Sequence, residues 1–261
     1  MRLLNSRSLK IKEFFGDKIP KYAVLSHTWG DEEVSFQDFH NESVRREKGG
    51  FKKIEDFCYC AEKDGFEWVW VDTCCIDKTS SAEISEAINS MYRWYQRATA
   101  CFVYLADVSI ADIIDPAPTN SEFQKSLWFT RGWTLQELLA PSQVTFYNST
   151  WDKLGGRHDL SRIISEITNI PERFLANGSF NIHSTTIAER ISWVSTRKTS
   201  REEDIAYCLL GLLDVQMPLI YGEGTKAFHR LQEEIIRSTH DHTILAWGAG
   251  APSYLQPRSV I

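Results

Sequence analysis

No run of about eighteen apolar residues occurs in the 261-residue sequence, so no membrane-spanning helix is expected. The start, MRLLNSRSLK, has neither the apolar core nor the small-residue cleavage site of a secretory leader. Together these absences lead us to expect a cytoplasmic protein. Long blocks of one charge sign are missing too: 29 Lys and Arg stand against 35 Asp and Glu, for a formal net charge of −6. A nucleic-acid partner is therefore not indicated. The basic run Arg45-Arg46-Glu47-Lys48 is interrupted by an acid and reads as a solvated face. There is no internal repeat and no low-complexity segment. The seven histidines do not combine with the cysteines in zinc-like spacing, so no metal set is expected. Gly222-Glu223-Gly224-Thr225-Lys226 lacks the Walker spacing and does not follow a strand, which removes it as a phosphate loop.

What the sequence does have is apolar mass: 43% of it is hydrophobic, enough for a substantial core in one large domain, with or without an appendage. Of the six cysteines, Cys74 and Cys75 are adjacent, Cys58 and Cys60 are near neighbours, and Cys101 and Cys208 sit in apolar runs. That distribution suits reduced, buried thiols better than a disulfide frame. The Asn-x-Ser/Thr sequons at Asn41, Asn148 and Asn177 are then chance matches.

Short apolar runs at 22–26 (YAVLS), 67–72 (EWVWVD), 101–106 (CFVYLA) and 144–148 (VTFYN) read as buried strands. Between the first two, Phe51, Ile54, Phe57, Cys58 and Ala61 recur at helical spacing, and Gly65 stops the helix. Ser80 and Glu83 fit a capping box that opens a second helix to about Arg97. A third helix is expected over 127–139. From Trp151 the pattern turns helical, over 160–168, 200–213 with Ser200 and Glu203 as another capping box, and 226–238. The expected fold is α/β: a parallel sheet flanked by helices over 1–150, with a mostly helical extension over 151–261.

Ligands of open parallel sheets bind outside the carboxyl ends of the strands. Those ends carry Ser26, His27, Thr28, Trp29 and Gly30 after the first strand, Asp72, Cys75, Asp77 and Lys78 after the second, and Asp107 after the third. Glu137, with Arg131 and Trp133 close by in FTRGWTLQELLAP, faces the same rim if its helix starts near it. Each has a structural alternative. Glu137 can pair with Arg131 in a salt bridge, Trp133 can be core, and Asp77 and Lys78 can be a solvated ion pair. Ser26 with His27 offers a nucleophile and a base without a clear third partner. Cys75 is a nucleophile candidate near a helix N-terminus, with buried packing as the competing reading.

The blocks YAVLSHTWG, WVDTCCID followed by EAINSMYRWY, and FTRGWTLQELLAP resemble the three motif blocks of the fungal HET (heterokaryon incompatibility) domain, in order and spacing. A weaker match through REEDIAYCLLGLLDVQMPLIYGEG extends the resemblance over roughly 1–236. It looks closest to HET domains that precede NACHT and WD-repeat regions in longer chains. The resemblance implies a trigger of cell death when genetically different hyphae fuse. HET domains in turn look like divergent relatives of TIR domains, which are flavodoxin-like parallel sheets, some of which hydrolyse NAD. In those the catalytic glutamate lies in a W-x-x-x-E-L pattern after the third strand, and Trp133 to Leu138, WTLQEL, matches it.

The resemblance therefore implies Glu137 as the catalytic carboxylate, NAD as substrate with no cofactor required, and activity on self-association. Cleavage at the nicotinamide expels a neutral pyridine, so no general acid is needed. One carboxylate near an oxocarbenium-like ribose suffices. Trp29 or Trp133 can stack on the pyridinium, and main-chain N–H groups of the loop 28–31 can receive a phosphate. The alternative is a non-catalytic module that signals by self-assembly and recruits partners. In the catalytic reading Glu137 should be at least partly exposed in a cleft beside Trp29 and Asp77, and in the assembly reading it should be buried in a satisfied ion pair.

Overall fold

The structure is a computed structural model that describes residues 1–109, 121–176, 181 and 184–245. The sequon at Asn177 and His183 lie outside the described residues. The centre is a seven-stranded sheet of β1 (Arg2–Asn5), β2 (Ile11–Glu13), β3 (Tyr22–His27), β4 (Trp68–Trp70), β5 (Ala100–Tyr104), β6 (Val144–Tyr147) and β7 (Lys153–Gly156), in the order β2-β1-β4-β3-β5-β6-β7. The four strands expected from apolar runs are the four central ones, and they pair in parallel. They are short and apolar because both faces are covered: every residue of β3 is buried.

Helices cover both faces. Phe57, on the helix Gly49–Lys63, packs edge-on against Phe102 of β5. Trp94 and Tyr95, on the helix Ser81–Arg97, pack against Trp70 of β4 on the other face. The helix Thr134–Leu139 lies on that second face, where the Cys101 thiol approaches the Glu137 carbonyl. In chain order the parallel strands run second, first, third, fourth, so the sheet reverses its winding between β3 and β5. That is the switch point at which doubly wound sheets open a crevice.

Several expectations are corrected. The sheet is mixed at its edges: β1 pairs antiparallel with β2 and β4, and β7 pairs antiparallel with β6. The turn to helices expected from Trp151 comes only after β7. The helix expected over 127–139 is a 3-10 turn, Leu127–Thr130, followed by the separate helix Thr134–Leu139. Tertiary pairing interrupts it: Lys198 N–H donates to Thr130 O and Gly132 N–H donates to Lys198 O, at 2.7 and 2.9 Å. Gly132 is required there, because a Cβ would lie 2.5 Å from Thr199 Cγ2.

The helix expected over 200–213 is likewise two short ones, Asp204–Tyr207 and Leu210–Leu213. Glu203 does not close a capping box with Ser200. Its carboxylate accepts the Gly222 and Gly224 N–H groups at 2.7 and 3.0 Å instead. At Ser80 half of the box forms: its hydroxyl accepts the Glu83 N–H, while the Glu83 carboxylate turns to the Asp77 N–H and to Arg2. Gly211 presses the helix Leu210–Leu213 onto Tyr92 so closely that a Cβ would overlap the ring. Among the described residues no helix is long and apolar enough to cross a membrane.

Candidate functional site

At the switch point a cleft of about 350 Å³ opens beside the carboxyl end of β3, within the size range of small-molecule sites. Ile84, Ala87, Ile88 and Met91 of the helix Ser81–Arg97 give it an apolar side, and Glu137 lies at its floor. The Glu137 side chain is 7% exposed. The first turn of Thr134–Leu139 carries it against β3, where Ser26, the fifth residue of that strand, donates its hydroxyl hydrogen to Glu137 Oε2. Ser26 Oγ in turn accepts the indole N–H of buried Trp128 at 2.8 Å. The Tyr95 hydroxyl adjoins the carboxyl and donates to Leu25 O. Burial is the largest influence on Glu137 and pushes it up to about 8, against the smaller pull of the Ser26 hydrogen bond.

The rim behaves differently. Asp72 Oδ2 accepts the Trp29 indole N–H at 2.9 Å, and Oδ1 lies 3.0 Å from His27 Nε2. The Lys78 ammonium sits 3.6 Å above the Trp29 ring centroid, a cation–π contact. Burial works to raise the Asp72 carboxyl. The Lys78 charge and the His27 and Trp29 bonds outweigh it and hold Asp72 below the usual carboxylate range. Burial pushes Lys78 down. His27 is buried and its Nδ1 has no hydrogen-bond partner; the nearest carboxylate oxygen, Glu33 Oε1, is 3.8 Å away.

The third wall comes from residues beyond β7. Ser200, Arg201, Asp204 and Tyr221 line the cleft together with Arg131 and Trp133. Arg131 Nη2 donates to Ser200 Oγ at 2.8 Å, Tyr221 donates to Asp204 Oδ1 at 2.9 Å, and the Arg201 guanidinium lies 4.5 Å above the Tyr221 ring centroid. Behind them Arg197, 2% exposed, donates to Arg131 O and Thr134 Oγ1. It thereby ties the extension to the start of the helix that bears Glu137.

Comparisons with known proteins show the family of the chain. A family model described as heterokaryon incompatibility protein (HET) matches residues 22–119. The vegetative incompatibility protein HET-E-1 of Podospora anserina is 47% identical over 235 residues, 86% of this chain. The chain carries a HET domain. It spans 17% of the length of that relative. A second model, described only as a domain of unknown function (DUF8212), matches residues 226–260. No solved structure matches the chain. The stretch matched by the HET model includes the rim residues His27, Trp29, Asp72 and Lys78 and stops short of Glu137.

Within this HET domain the cleft brings together His27, Trp29, Asp72, Lys78, Arg131, Trp133 and Glu137, all singled out in the sequence. Ser26 lies beneath the floor, in contact with Glu137. Five expectations fail. Glu137, expected to be at least partly exposed, is buried at the floor, because the first turn of Thr134–Leu139 presses it against Ser26 of β3. Arg131 makes no salt bridge with Glu137 and binds Ser200 instead. Cys75 is buried away from the cleft lining. Asp77 does not line it either: its carboxylate accepts from Gln37 and from the backbone and hydroxyl of Thr79, closing its own turn. The Gly30 N–H, expected to be open to a phosphate, donates to Glu33 Oε1 at 2.8 Å.

Missed altogether were Tyr95, Arg201, Asp204 and Tyr221 on the walls and Arg197 behind them. Arg201 and Asp204 fall within the helix expected over 200–213, and Arg197 and Tyr221 lie between expected helices, where no motif marks them. A larger, shallow depression of about 500 Å³ lies between Ser6 and Tyr59. Ser6 follows β1, which runs antiparallel to β4, so that depression is at the opposite edge of the sheet from the strand ends.

Proposed function

We propose that this HET domain takes part in vegetative incompatibility by hydrolysing NAD to nicotinamide and ADP-ribose, with Glu137 as the catalytic carboxylate. The observation that carries the reading is a buried carboxyl, without an ion-pair partner among the described residues, at the floor of an aromatic-walled cleft at the switch point of a parallel sheet. The name of the Podospora relative, a vegetative incompatibility protein, supports the cellular role. A TIR-like origin accords with the winding order of the four parallel strands.

At neutral pH a carboxyl held up at about 8 is mostly protonated, with roughly one molecule in ten ionised. A pyridinium changes that. A unit cation about 4 Å from a carboxylate at an effective dielectric near 20 contributes about 4 kcal/mol, or roughly three pKa units. Substrate entry thus expels the Glu137 proton to solvent and leaves an anion beside the ribose. The bond between ribose C1′ and the pyridinium nitrogen then breaks, and its electron pair leaves with neutral nicotinamide. Positive charge grows on the sugar, facing the Glu137 carboxylate. Water adds to C1′, gives ADP-ribose and releases one proton. In this scheme the indole faces of Trp29 and Trp133 stack on the flat cation, and Lys78 yields its place over Trp29.

The test is nicotinamide release from NAD by the purified protein, dilute and then concentrated, because the resemblance implies activation on self-association. Glu137→Gln keeps the shape and an acceptor for Ser26 and should cost 100-fold or more, about the loss seen when one electrostatic stabiliser is removed. Release that survives in the variant would place the chemistry elsewhere. The assembly-only alternative expects Glu137 buried in a satisfied ion pair: it is buried, but among the described residues it has no ion-pair partner and accepts the Ser26 hydroxyl instead.

A further inference from the structure

The third wall carries two cations that have no ion-pair partner among the described residues, Arg131 and Arg201. Their positions are coupled: Arg131 is hydrogen-bonded to Ser200, the residue before Arg201. Arg201 rests on the face of Tyr221, which is itself fixed by its bond to Asp204. A guanidinium over an aromatic ring leaves N–H donors open, and a fork of such donors matches the oxygens of a phosphate. The balance of charge in the cleft points the same way. Lys78, Arg131 and Arg201 face Asp72, Asp204 and Glu137, three cations against three carboxyls, of which burial favours the neutral form of Glu137. The resting cleft is therefore net positive and suited to an anion, whereas Glu137 at the floor suits a cation. One ligand chemistry meets both demands: a nucleotide that joins a pyridinium to phosphate.

We propose that Arg201, on the wall supplied by the C-terminal region, forms with Arg131 a phosphate subsite that makes the cleft select pyridine nucleotides over the phosphate-free riboside. This rests on the NAD-cleaving reading above. It assigns the segment 200–221 a part in substrate choice, and it moves phosphate binding from the loop 28–31, whose Gly30 N–H is already engaged, to the wall that carries Arg131 and Arg201.

The experiment compares the wild type with Arg201→Ala and Arg201→Lys, with two readouts. The first is the ratio of kcat/KM for NAD to that for nicotinamide riboside. The second is equilibrium binding of ADP-ribose, which needs no turnover. Arg201 is exposed, and far-ultraviolet circular dichroism with thermal melting checks that the variants fold. Arg201→Ala should lower the ratio and weaken ADP-ribose binding by about tenfold or more, the scale of a lost charge-assisted bidentate contact. Arg201→Lys should recover only part of either. If no condition gives NAD cleavage but ADP-ribose binding still weakens in Arg201→Ala, the subsite stands and the catalytic reading falls. If cleavage is intact while the ratio and the binding are unchanged, the subsite falls and the catalytic reading stands. ADP-ribose that does not bind the wild type, or binds both proteins equally, overturns the inference.

Discussion

Glu137 at the floor and Asp72 at the rim face the same cleft, yet their surroundings push the two carboxyls in opposite directions. Glu137 is 7% exposed, accepts the Ser26 hydroxyl and adjoins that of Tyr95, so burial dominates and the neutral form is favoured. The Asp72 side chain is 18% exposed, takes an indole N–H and lies against His27 and Lys78, so its anion is favoured. Environment, more than residue type, separates a carboxyl that can change its charge with a ligand from one that holds a structure in place.

The largest effect expected from this contrast is on stability against pH. Glu137 is raised in the folded protein from an ordinary 4.5 to about 8. Its contribution is therefore full below pH 4.5 and lost as pH rises through 8, a swing of up to about 5 kcal/mol. Asp72 has the opposite sign: its contribution is present above its ordinary value of 3.8 and is lost as pH falls below that. Denaturant unfolding of wild type and Glu137→Gln across pH 4 to 9 should show a declining limb in the wild type that the variant lacks. Parallel curves would mean that Glu137 is ionised in the resting fold.

A smaller effect, about 1–3 kcal/mol, is expected for Ser26→Ala, because the buried Trp128 N–H loses its acceptor. The same change removes the hydrogen bond that lowers Glu137, so the Glu137 ionisation should move above about 8. Carboxyl carbon resonances followed against pH read this directly. A downward movement would show that Ser26 does not stabilise the anion, and the contrast between floor and rim would lose its cause.

Much of this was legible in the sequence, for physical reasons. Central parallel strands must be apolar on both faces, so Tyr22–His27 and Ala100–Tyr104 stand out as short unbroken runs. Their ends locate the rim, and the W-x-x-x-E-L pattern locates Glu137. The first hairpin did not stand out: β1 and β2 are four and three residues long and only Leu3 and Leu4 are deeply buried. Nor did the break in 127–139, because the pairing of Thr130 and Gly132 with Lys198 is a contact across more than sixty residues. The third wall was hidden for the same reason. Arg201, Asp204 and Tyr221 look like surface and helix residues until the two short helices fold back over Ser81–Arg97.

The smallest expected effect tests the rim alone. Trp29 is 57% exposed and makes two distinct contacts there, an N–H bond to Asp72 and a ring face under Lys78. Trp29→Phe removes the first and keeps a ring for the second. An exposed hydrogen bond contributes little net, so stability should fall by about 0.5–1 kcal/mol. The Asp72 carboxyl should rise toward its ordinary range, because that N–H helps to hold it down. Trp29→Ala, which takes the ring as well, should leave Lys78 more solvated, and its amine should titrate closer to the ordinary 10.5. If Asp72 stays put in Trp29→Phe, then Lys78 and His27 alone set the rim. The indole is in that case free to leave Asp72 and turn its face to a ligand at almost no cost, which would strengthen its assignment as the stacking platform for a pyridinium.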